Sequence, residues 1–269
     1  MKILDGKVIR DEILARLKGE FAKLADTSKL AIIQVGARTD SITYIRQKKI
    51  FAEKVGVTVE LFKFPENCQP KEIIEKIRGL NNDDKIHGII VQMPLPKDFN
   101  DDEIIEEINP KKDVDGLTAK NLRRILVGDL SGLIPATAKG ILKILDFYQI
   151  PIVGRRVTVI GRSRLVGKPA ALVLLARGAT VTICHRQTQN LAEIANEADI
   201  LISTAGQKNL IGREFVAPNQ TIIDIGNDIN FDEVKDIVGA ITPTPGGVGP
   251  LTVACLFENL LQACIMSEL

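Results

Sequence analysis

Apolar stretches rich in β-branched residues alternate with amphipathic helical stretches along almost the whole chain. This alternation predicts an α/β fold built on parallel strands, because each parallel pair needs a long crossover connection that is usually a helix. We expect the strands in two groups, at residues 30–35, 58–62 and 88–92 and at residues 156–160, 180–184, 200–203 and 221–225. The pattern therefore predicts two parallel sheets.

Helical periodicity predicts the elements that connect these strands. Apolar positions recur at steps of three and four around residues 40–56, 71–80, 138–145, 170–177 and 250–265. One helix ends before Pro151, between the two groups of strands, and Pro250 suits the first turn of the last helix. We therefore predict two domains: residues 1–140, with the C-terminal helix 250–269 packing back on them, and residues 141–249, a Rossmann-like domain.

The composition narrows the possible partners. The chain has 269 residues, 45% hydrophobic and 26% charged, which allows a sizeable core. Its net charge of +1 gives no general attraction to nucleic acid or to an anionic membrane. No apolar run approaches the roughly 18–20 residues that span a bilayer, and the N-terminus lacks a signal-peptide core, which predicts a cytoplasmic protein. The scattered cysteines contain no CxxC pair and indicate neither zinc nor a disulfide framework.

Lys48 is the one charge on the apolar face of the helix predicted over residues 40–56. The residues that share this face are Tyr44, Ile45, Lys48, Phe51, Ala52 and Val55. A buried amine needs a carboxylate, an amide oxygen or a water-filled cleft beside it, and burial lowers its pKa. The alternative is a lysine stem on apolar surface with its head in water. The helix therefore offers a candidate catalytic amine.

A glycine turn after strand 156–160 has the form of a phosphate-binding site. It reads Gly161-Arg162-Ser163-Arg164-Leu165-Val166-Gly167-Lys168-Pro169 and opens a helix. Such a turn presents backbone N–H groups and the positive end of a helix to a pyrophosphate. Because the spacing is G-x5-G rather than G-x-G-x-x-G, an ordinary turn is the alternative interpretation.

The end of the following strand bears on the choice of dinucleotide. An NAD site usually has an acidic residue about twenty positions after the turn, but the string Cys184-His185-Arg186-Gln187-Thr188 contains none. Arg186 and Arg162 could bind a 2′-phosphate in two-point contacts, although either alone could be a solvated surface charge. We therefore predict NADP in preference to NAD.

Three further strings contain candidate binding groups. Gln92 ends strand 88–92, where open α/β sheets bind ligands, and its amide oxygen could accept from Lys48. The string Lys112-Asp113-Val114-Asp115-Gly116 has two carboxylates, either of which could accept paired N–H bonds from an amidine-like ring edge, or could belong to an ordinary turn. Three prolines and three glycines between Pro243 and Pro250 predict a stiff loop that ends at a helix start.

Together these strings resemble one family. The chain is similar to the bifunctional methylenetetrahydrofolate dehydrogenase/cyclohydrolase family over nearly its whole length, with five motifs in the family's order. The motifs lie at residues 44–48, 88–96, 112–116, 161–169 and 243–252.

The resemblance implies a homodimer of two-domain subunits with a cleft between the domains, folate in the first domain and NADP in the second. It implies oxidation of 5,10-methylenetetrahydrofolate to the methenyl cation with NADP, then hydrolysis to 10-formyltetrahydrofolate. Matched to the family's motifs, Lys48 is the catalytic lysine, Tyr44 stacks on the folate, Gln92 orients the lysine and Asp115 binds the pterin edge. Further implied substrate positions are Ser41, Pro94, Leu95, Pro245, Gly246 and Gly247. The implied NADP positions are Gly161, Arg162, Ser163, Val166, Gly167, Lys168, Pro169, His185, Arg186, Thr204, Ala205, Gly206, Asp224 and Gly226.

The chain departs from the family's pattern at three places. The family's Pro-Cys-Thr-Pro-x-Gly reads Pro135-Ala136-Thr137-Ala138-Lys139-Gly140, and its Asn-x-Gly reads Asn121-Leu122-Arg123. Asp228 stands where the family more often has an uncharged Ile-Asn sequence. No reacting residue is lost, so these changes concern the domain junction and the nicotinamide-side loop.

Two other functions remain as alternatives. One is another NADP dehydrogenase of similar architecture, such as a shikimate-type enzyme, which would not explain the loop from Pro243 to Pro250. The other is a non-catalytic folate- or nucleotide-binding relative, which would not explain the joint presence of the four matched residues Lys48, Tyr44, Gln92 and Asp115.

Overall fold

The computed structural model describes residues 1–24 and 27–267. The strands are β1 (Lys2–Ile3), β2 (Lys29–Val35), β3 (Thr58–Phe64), β4 (Gly88–Val91), β5 (Arg156–Ile160), β6 (Thr180–Cys184), β7 (Ile200–Ser203), β8 (Thr221–Asp224) and β9 (Ala240–Ile241). The α-helices are α1 (Gly6–Phe21), α2 (Thr39–Val55), α3 (Pro70–Asn81), α4 (Asp101–Glu106), α5 (Ala119–Leu126), α6 (Ala136–Phe147), α7 (Gly167–Ala176), α8 (Leu191–Asn196), α9 (Phe231–Val234) and α10 (Val248–Ser267).

The chain divides into two compact units, each with its own parallel sheet. The three-stranded unit consists of Glu12–Arg123, Ser131–Ala136 and Val253–Leu269, and its sheet has the order β3-β2-β4. The six-stranded unit consists of Met1–Asp11, Arg124–Leu130 and Thr137–Thr252, and its sheet has the order β1-β9-β8-β7-β5-β6. The predicted α/β fold with two parallel sheets is confirmed.

The grouping differs from the predicted boundaries at both ends of the chain and before the predicted junction, where residues 124–130 and 137–140 group with the six-stranded unit. Residues 1–11, predicted with the first domain, group with the six-stranded unit, because Lys2 and Ile3 pair with the strand β9. The predicted C-terminal helix 250–269 groups with the three-stranded unit only from Val253 onward. Residues 268 and 269 of that prediction lie outside the described residues.

The strands of each sheet follow directly from their apolar runs. Strand β2 is buried along almost its whole length, as expected for a central strand covered on both faces, whereas the edge strand β3 is only half-buried. All seven predicted strands are present, with ends that differ by at most two residues. The two strands absent from the prediction, β1 and β9, have two residues each. So short a strand has no period from which it could be recognised.

Helix α2, which carries Lys48, is delimited by local signals. Its last turn is closed by Gly56, whose φ of 79° is in the left-handed region and whose N–H donates to the Ala52 carbonyl. On the described residues, its buried positions are Ser41, Ile45, Lys48, Phe51, Ala52 and Val55. The helix therefore presents one face to the core of the three-stranded unit.

Helix α10 corrects one expectation. With 20 residues it is long and apolar enough, by length and composition, to cross a membrane, so the prediction that no run approaches that length was wrong. However, 67% of its most apolar stretch is buried in the protein, and Phe257 stacks on Phe51 with the ring centroids 4.9 Å apart. A helix as apolar as this one is expected in the core of a protein of this size.

Candidate active site

Lys48 lies inside the three-stranded unit, with only 7% of the residue exposed. Its burial agrees with the position predicted from the apolar face of α2. Tyr44 does not share this burial: 54% of it is exposed, so the prediction that it lies on the buried face was wrong. Tyr44 stands one turn before Lys48 at the margin of the face, where its ring remains accessible to a ligand.

Gln92 provides the hydrogen-bond acceptor for this amine. It directly follows β4, and its backbone N–H continues the sheet by donating to the Ile33 carbonyl at 2.8 Å. Its side-chain NH2 donates to the Met93 carbonyl at 2.9 Å, which directs Oε1 toward Lys48 Nζ, also at 2.9 Å. The contact predicted between these two side chains is therefore present, and the amide is held from both ends.

The two carboxylates of the Lys112 to Gly116 string have different environments. Asp113 forms a parallel bridge with Ile89, is 1% exposed, and accepts hydrogen bonds from Thr118 N at 2.8 Å and Asn121 Nδ2 at 2.9 Å. Its carboxylate therefore holds the loop together. Asp115 is half-buried and interacts electrostatically with Lys48. Asp115 is thus the one of the two that belongs to the lysine site.

Burial shifts both members of this pair toward their neutral forms. Desolvation lowers the pKa of the Lys48 amine, and the negative charge of Asp115 opposes that shift in part. Desolvation likewise raises the pKa of the Asp115 carboxyl; Lys48 opposes this rise, and Asp113 adds to it. An amine with a lowered pKa can accept and return a proton at a pH where an ordinary lysine stays charged.

A cavity of about 1180 Å³ opens at the carboxyl ends of the strands of this sheet. Its walls come from the segments that follow β2, β3 and β4, and they include the predicted substrate positions Pro94 and Leu95. Ligands of open α/β sheets bind at this edge. The residues that line this cavity do not include Lys48, Tyr44, Gln92 or Asp115. Ser41, another predicted substrate position, is buried in the first turn of α2, 3% exposed.

In the six-stranded unit, the turn between β5 and α7 leaves space only for glycine at two positions. Gly161 has a φ of 116°, and a Cβ there would overlap the Thr204 hydroxyl; a Cβ on Gly167 would overlap the Gly161 carbonyl. The chain passes from β5 to β6 on one side of the sheet and then returns to β7 on the other, so this turn lies at a topological switch point. Dinucleotides bind at such points, and the turn fits a pyrophosphate.

The side chains around this turn place positive charge at the same end of the sheet. Arg162 and Lys168 in the turn and Arg186 after β6 are exposed, and Ser163 Oγ accepts from the N–H groups of Val166 and Gly167 at 3.3 Å each. His185 is half-buried, and its Nδ1 accepts from Gln187 N at 3.2 Å. Pro169 is buried in the first turn of α7. These groups can bind an anionic cofactor.

The loops after β7 and β8 contain the remaining predicted cofactor positions. Thr204 packs on Gly161, and the Thr204 hydroxyl donates to the Ile160 carbonyl at 3.1 Å. Asp224 ends β8 and is 5% exposed; Thr244 Oγ1 donates to its carboxylate at 3.0 Å, and burial raises its pKa. Ala205, Gly206 and Gly226 follow these strands, and a Cβ on Gly226 would meet Gly206 N at 2.6 Å.

The loop from Pro243 to Pro250 contacts a segment that the sequence analysis missed. Gly6 N donates to the Gly246 carbonyl at 3.0 Å, and a Cβ on Gly6 would overlap the Gly247 carbonyl. The side chain of Lys7 lies against Gly246. The available signal was the string Asp5-Gly6-Lys7 at the start of α1. Pro245, Gly246 and Gly247 thus belong to the six-stranded unit and not to the unit that carries Lys48.

Within residues 1–24 and 27–267, no group of three or more His, Cys, Asp or Glu side chains is arranged to hold a metal ion. Fold and sites together define an α/β enzyme with a buried amine in one unit and a dinucleotide-binding turn in the other.

Comparisons with known proteins identify the family. Residues 4–115 match the tetrahydrofolate dehydrogenase/cyclohydrolase catalytic domain, and residues 135–268 match the NAD(P)-binding domain of the same family. The chain therefore belongs to the tetrahydrofolate dehydrogenase/cyclohydrolase family, as the resemblance implied.

Similar relatives span nearly the whole chain. It is 42% identical to the bifunctional protein FolD of Nitrosospira multiformis, covering 97% of this chain and 95% of the relative. It is also similar in structure to the bifunctional FolD enzyme of Campylobacter jejuni, with a TM-score of 0.95 at 36% identity over 99% of each chain. The Trypanosoma brucei enzyme, solved with NADP and an inhibitor, gives a TM-score of 0.95 at 30% identity, covering 99% of this chain and 98% of that one.

The shikimate-type alternative is supported only at the level of the fold. A shikimate dehydrogenase from Aquifex aeolicus is 13% identical, with a TM-score of 0.59, covering 91% of this chain and 98% of that one. Likeness at that identity reflects shared architecture and not a shared reaction.

Proposed function

We propose that this protein oxidises 5,10-methylenetetrahydrofolate to 5,10-methenyltetrahydrofolate with NADP and hydrolyses the product to 10-formyltetrahydrofolate. The observation that carries this proposal is the buried amine of Lys48, bound to Gln92 Oε1 at 2.9 Å and with its pKa lowered by burial. Membership of the family supports tetrahydrofolate as the substrate class, and the glycine turn after β5 is a suitable binding site for the cofactor.

Lys48 acts in the hydrolytic step. Addition of water to the methenyl cation and opening of the ring require a proton to leave the water and another to reach the departing ring nitrogen. A neutral amine can take the first proton and deliver the second. Gln92 accepts from the amine and keeps it in one orientation, so its role is positioning.

The other substrate groups bind and orient the folate. Asp115 accepts paired N–H bonds from the amidine-like edge of the pterin, because a carboxylate matches that geometry with both oxygens. The exposed ring of Tyr44 stacks on the folate. Additional contacts are assigned to Ser41, Pro94, Leu95 and the loop Pro245, Gly246 and Gly247.

NADP, when bound, supplies the hydride acceptor. The residues that would hold it are the turn residues Gly161 to Ser163 and Val166 to Pro169, with Arg186 and His185 beside them, and the loop residues Thr204 to Gly206, Asp224 and Gly226. For the oxidation, the protein needs mainly to align the two reactants, since the nitrogens that flank the reacting carbon stabilise the product cation. We therefore assign the folate to the three-stranded unit and NADP to the six-stranded unit.

The substitution Lys48→Met tests the proposal. We expect hydrolysis of methenyltetrahydrofolate to fall by about a hundredfold or more, because a general acid–base group is lost, while the NADP-dependent oxidation retains more of its rate. Loss of the methenyl absorbance and formation of NADPH report the two steps separately. The matched control is Lys54→Met, an exposed lysine on the opposite side of α2. Undiminished hydrolysis by Lys48→Met would contradict the role of the amine.

The preference for NADP over NAD is a separate proposal. Arg162 and Arg186 are exposed near the dinucleotide turn, where guanidinium groups can pair with a 2′-phosphate. We expect kcat/KM with NADP to exceed that with NAD by about tenfold or more, and Arg186→Ala to reduce that ratio. Equal use of NAD by the unaltered protein would contradict the assignment of the arginines.

We also propose a homodimer in the cytoplasm, in line with the family resemblance. Strand β6 is an edge of the six-stranded sheet, with Ile183 44% exposed, and unpaired edges of this kind favour association. Sedimentation equilibrium measures the mass directly, and a subunit mass of 29.4 kDa at all concentrations would contradict the dimer.

A further inference from the structure

Asp228 is a buried carboxylate that the proposed reaction does not use. It is 0% exposed and follows the last residue of β8 by four residues. The turn that precedes it is tight: Asn227 has a φ of 60°, and a Cβ on Gly226 would overlap both carboxylate oxygens of Asp228. The chain therefore folds back on itself to bring this carboxylate under the neighbouring loop.

The carboxylate accepts three hydrogen bonds, one from the last residue of β7 and two from the loop that follows β7. Oδ2 accepts from Ser203 Oγ at 2.6 Å and from Ala205 N at 2.8 Å, and Oδ1 accepts from Gln207 N at 2.6 Å. Each oxygen thus receives one backbone N–H of the same loop. An asparagine could offer only one acceptor oxygen, and its NH2 would face the other N–H.

The loop that Asp228 binds lies next to the proposed dinucleotide site. The loop from Thr204 to Gln207 leaves β7, and the glycine turn leaves β5, its neighbour in the sheet. These two connections flank the switch point, where a dinucleotide enters an open parallel sheet. Thr204 also packs on Gly161, so displacement of the loop would disturb the glycine turn.

We infer that Asp228 is a positioning residue for the NADP site. Its carboxylate holds the loop from Thr204 to Gln207 in the conformation that binds the cofactor. This inference rests on the proposed function for the identity of the ligand. Asp228 and Ser203 are both completely buried, so neither side chain is accessible to a cofactor, and each can change cofactor affinity only through the residues that it binds.

The test uses Asp228→Asn in the full-length protein. We expect the KM for NADP and the Kd for NADPH to rise about tenfold, because one backbone N–H of the loop loses its acceptor, with a smaller change in kcat. Hydrolysis of methenyltetrahydrofolate supplied directly, which needs no NADP, should stay unchanged. The matched control is Asp232→Asn, a highly exposed aspartate four residues later, which should change neither activity.

A second variant serves if Asp228→Asn does not fold. Ser203→Ala removes one donor to the carboxylate and leaves both backbone donors paired, so we expect a two- to threefold rise in the KM for NADP, of the order of one weak hydrogen bond. An unchanged KM in the variants, or a parallel loss of hydrolysis, would overturn the inference. Failure of the unaltered protein to bind NADPH would instead contradict the proposed function, and this inference with it.

Discussion

The lysine site and the glycine turn reach their binding geometry in opposite ways. In the lysine site the geometry depends on side chains: Lys48 Nζ, the Gln92 amide and the Asp115 carboxylate. In the glycine turn it depends on the backbone, since Gly161 and Gly167 leave no space for a Cβ while the charged side chains nearby are exposed. Isosteric changes of charge should therefore damage the first site, and added volume should damage the second.

The largest effect in this comparison is expected from Asp115→Asn. The change keeps the volume of the side chain but removes its charge and one acceptor, so we expect kcat/KM for the folate to fall by about a hundredfold in both steps. The control is Asp113→Asn in the same string. The two donors to Asp113 both use Oδ2, which an amide oxygen can replace, so this variant should retain its rates. Equal losses in both variants would remove the distinction between the two carboxylates.

The next effect is expected from Gly161→Ala. A methyl group here meets Thr204 and requires an unfavourable φ, so we expect the KM for NADP to rise about thirtyfold, by roughly 2 kcal/mol of strain and displacement. Hydrolysis of methenyltetrahydrofolate should be spared. Gly154→Ala is the matched control, because Gly154 also has a positive φ, 72°, but has open space around its Cβ position. Similar kinetics for the two variants would mean that close packing of the turn is unimportant.

The smallest effect concerns stability as a function of pH. Burial lowers the pKa of Lys48 in the folded protein below its ordinary value of 10.5. At a pH between the lowered pKa of the folded protein and 10.5, the unfolded chain holds a proton that the folded protein lacks. The contribution of Lys48 to the free energy of unfolding therefore rises with pH. Lys48→Met removes that dependence. We therefore expect the Lys48→Met protein to be more stable than the unaltered protein at about pH 7. This difference in the free energy of unfolding should shrink as the pH rises to about 10.

Urea unfolding at several pH values in this range measures the difference in the free energy of unfolding between Lys48→Met and the unaltered protein. The exposed Lys54→Met should differ from the unaltered protein by a constant amount. A constant difference for Lys48→Met as well would indicate that burial does not perturb the amine.

Much of the fold could be predicted from the sequence, because its long parallel strands are continuous apolar runs separated by helical periodicity. The inner strands β2, β7 and β8 come closest to this description, whereas the edge strands β3 and β6 have polar residues between their apolar ones. What the pattern missed was short or remote in sequence: β1 and β9 pair residues 2 and 3 with residues 240 and 241. The contact of Gly6 with Gly247 was missed for the same reason.

Part of the candidate site could also be predicted from the sequence. The pairing of Lys48 with Gln92 follows from their positions on a helix face and at a strand end, and it is present at 2.9 Å. The burial assigned to Tyr44 was wrong, because helical spacing defines a face but not the margin where that face meets solvent. The departure at Asp228 was visible in the sequence, yet its partners Ser203, Ala205 and Gln207 are more than twenty residues away.

The sequence by itself determined the two parallel sheets, the positions of the amine and the glycine turn at their ends, and the family, since apolar period and motif order are local properties of the chain. Tertiary structure alone decided that Asp113 holds a loop through Thr118 and Asn121, and which loop Asp228 supports. Burial, desolvation and the sharing of hydrogen-bond donors depend on residues distant in sequence, and only the folded chain brings these together.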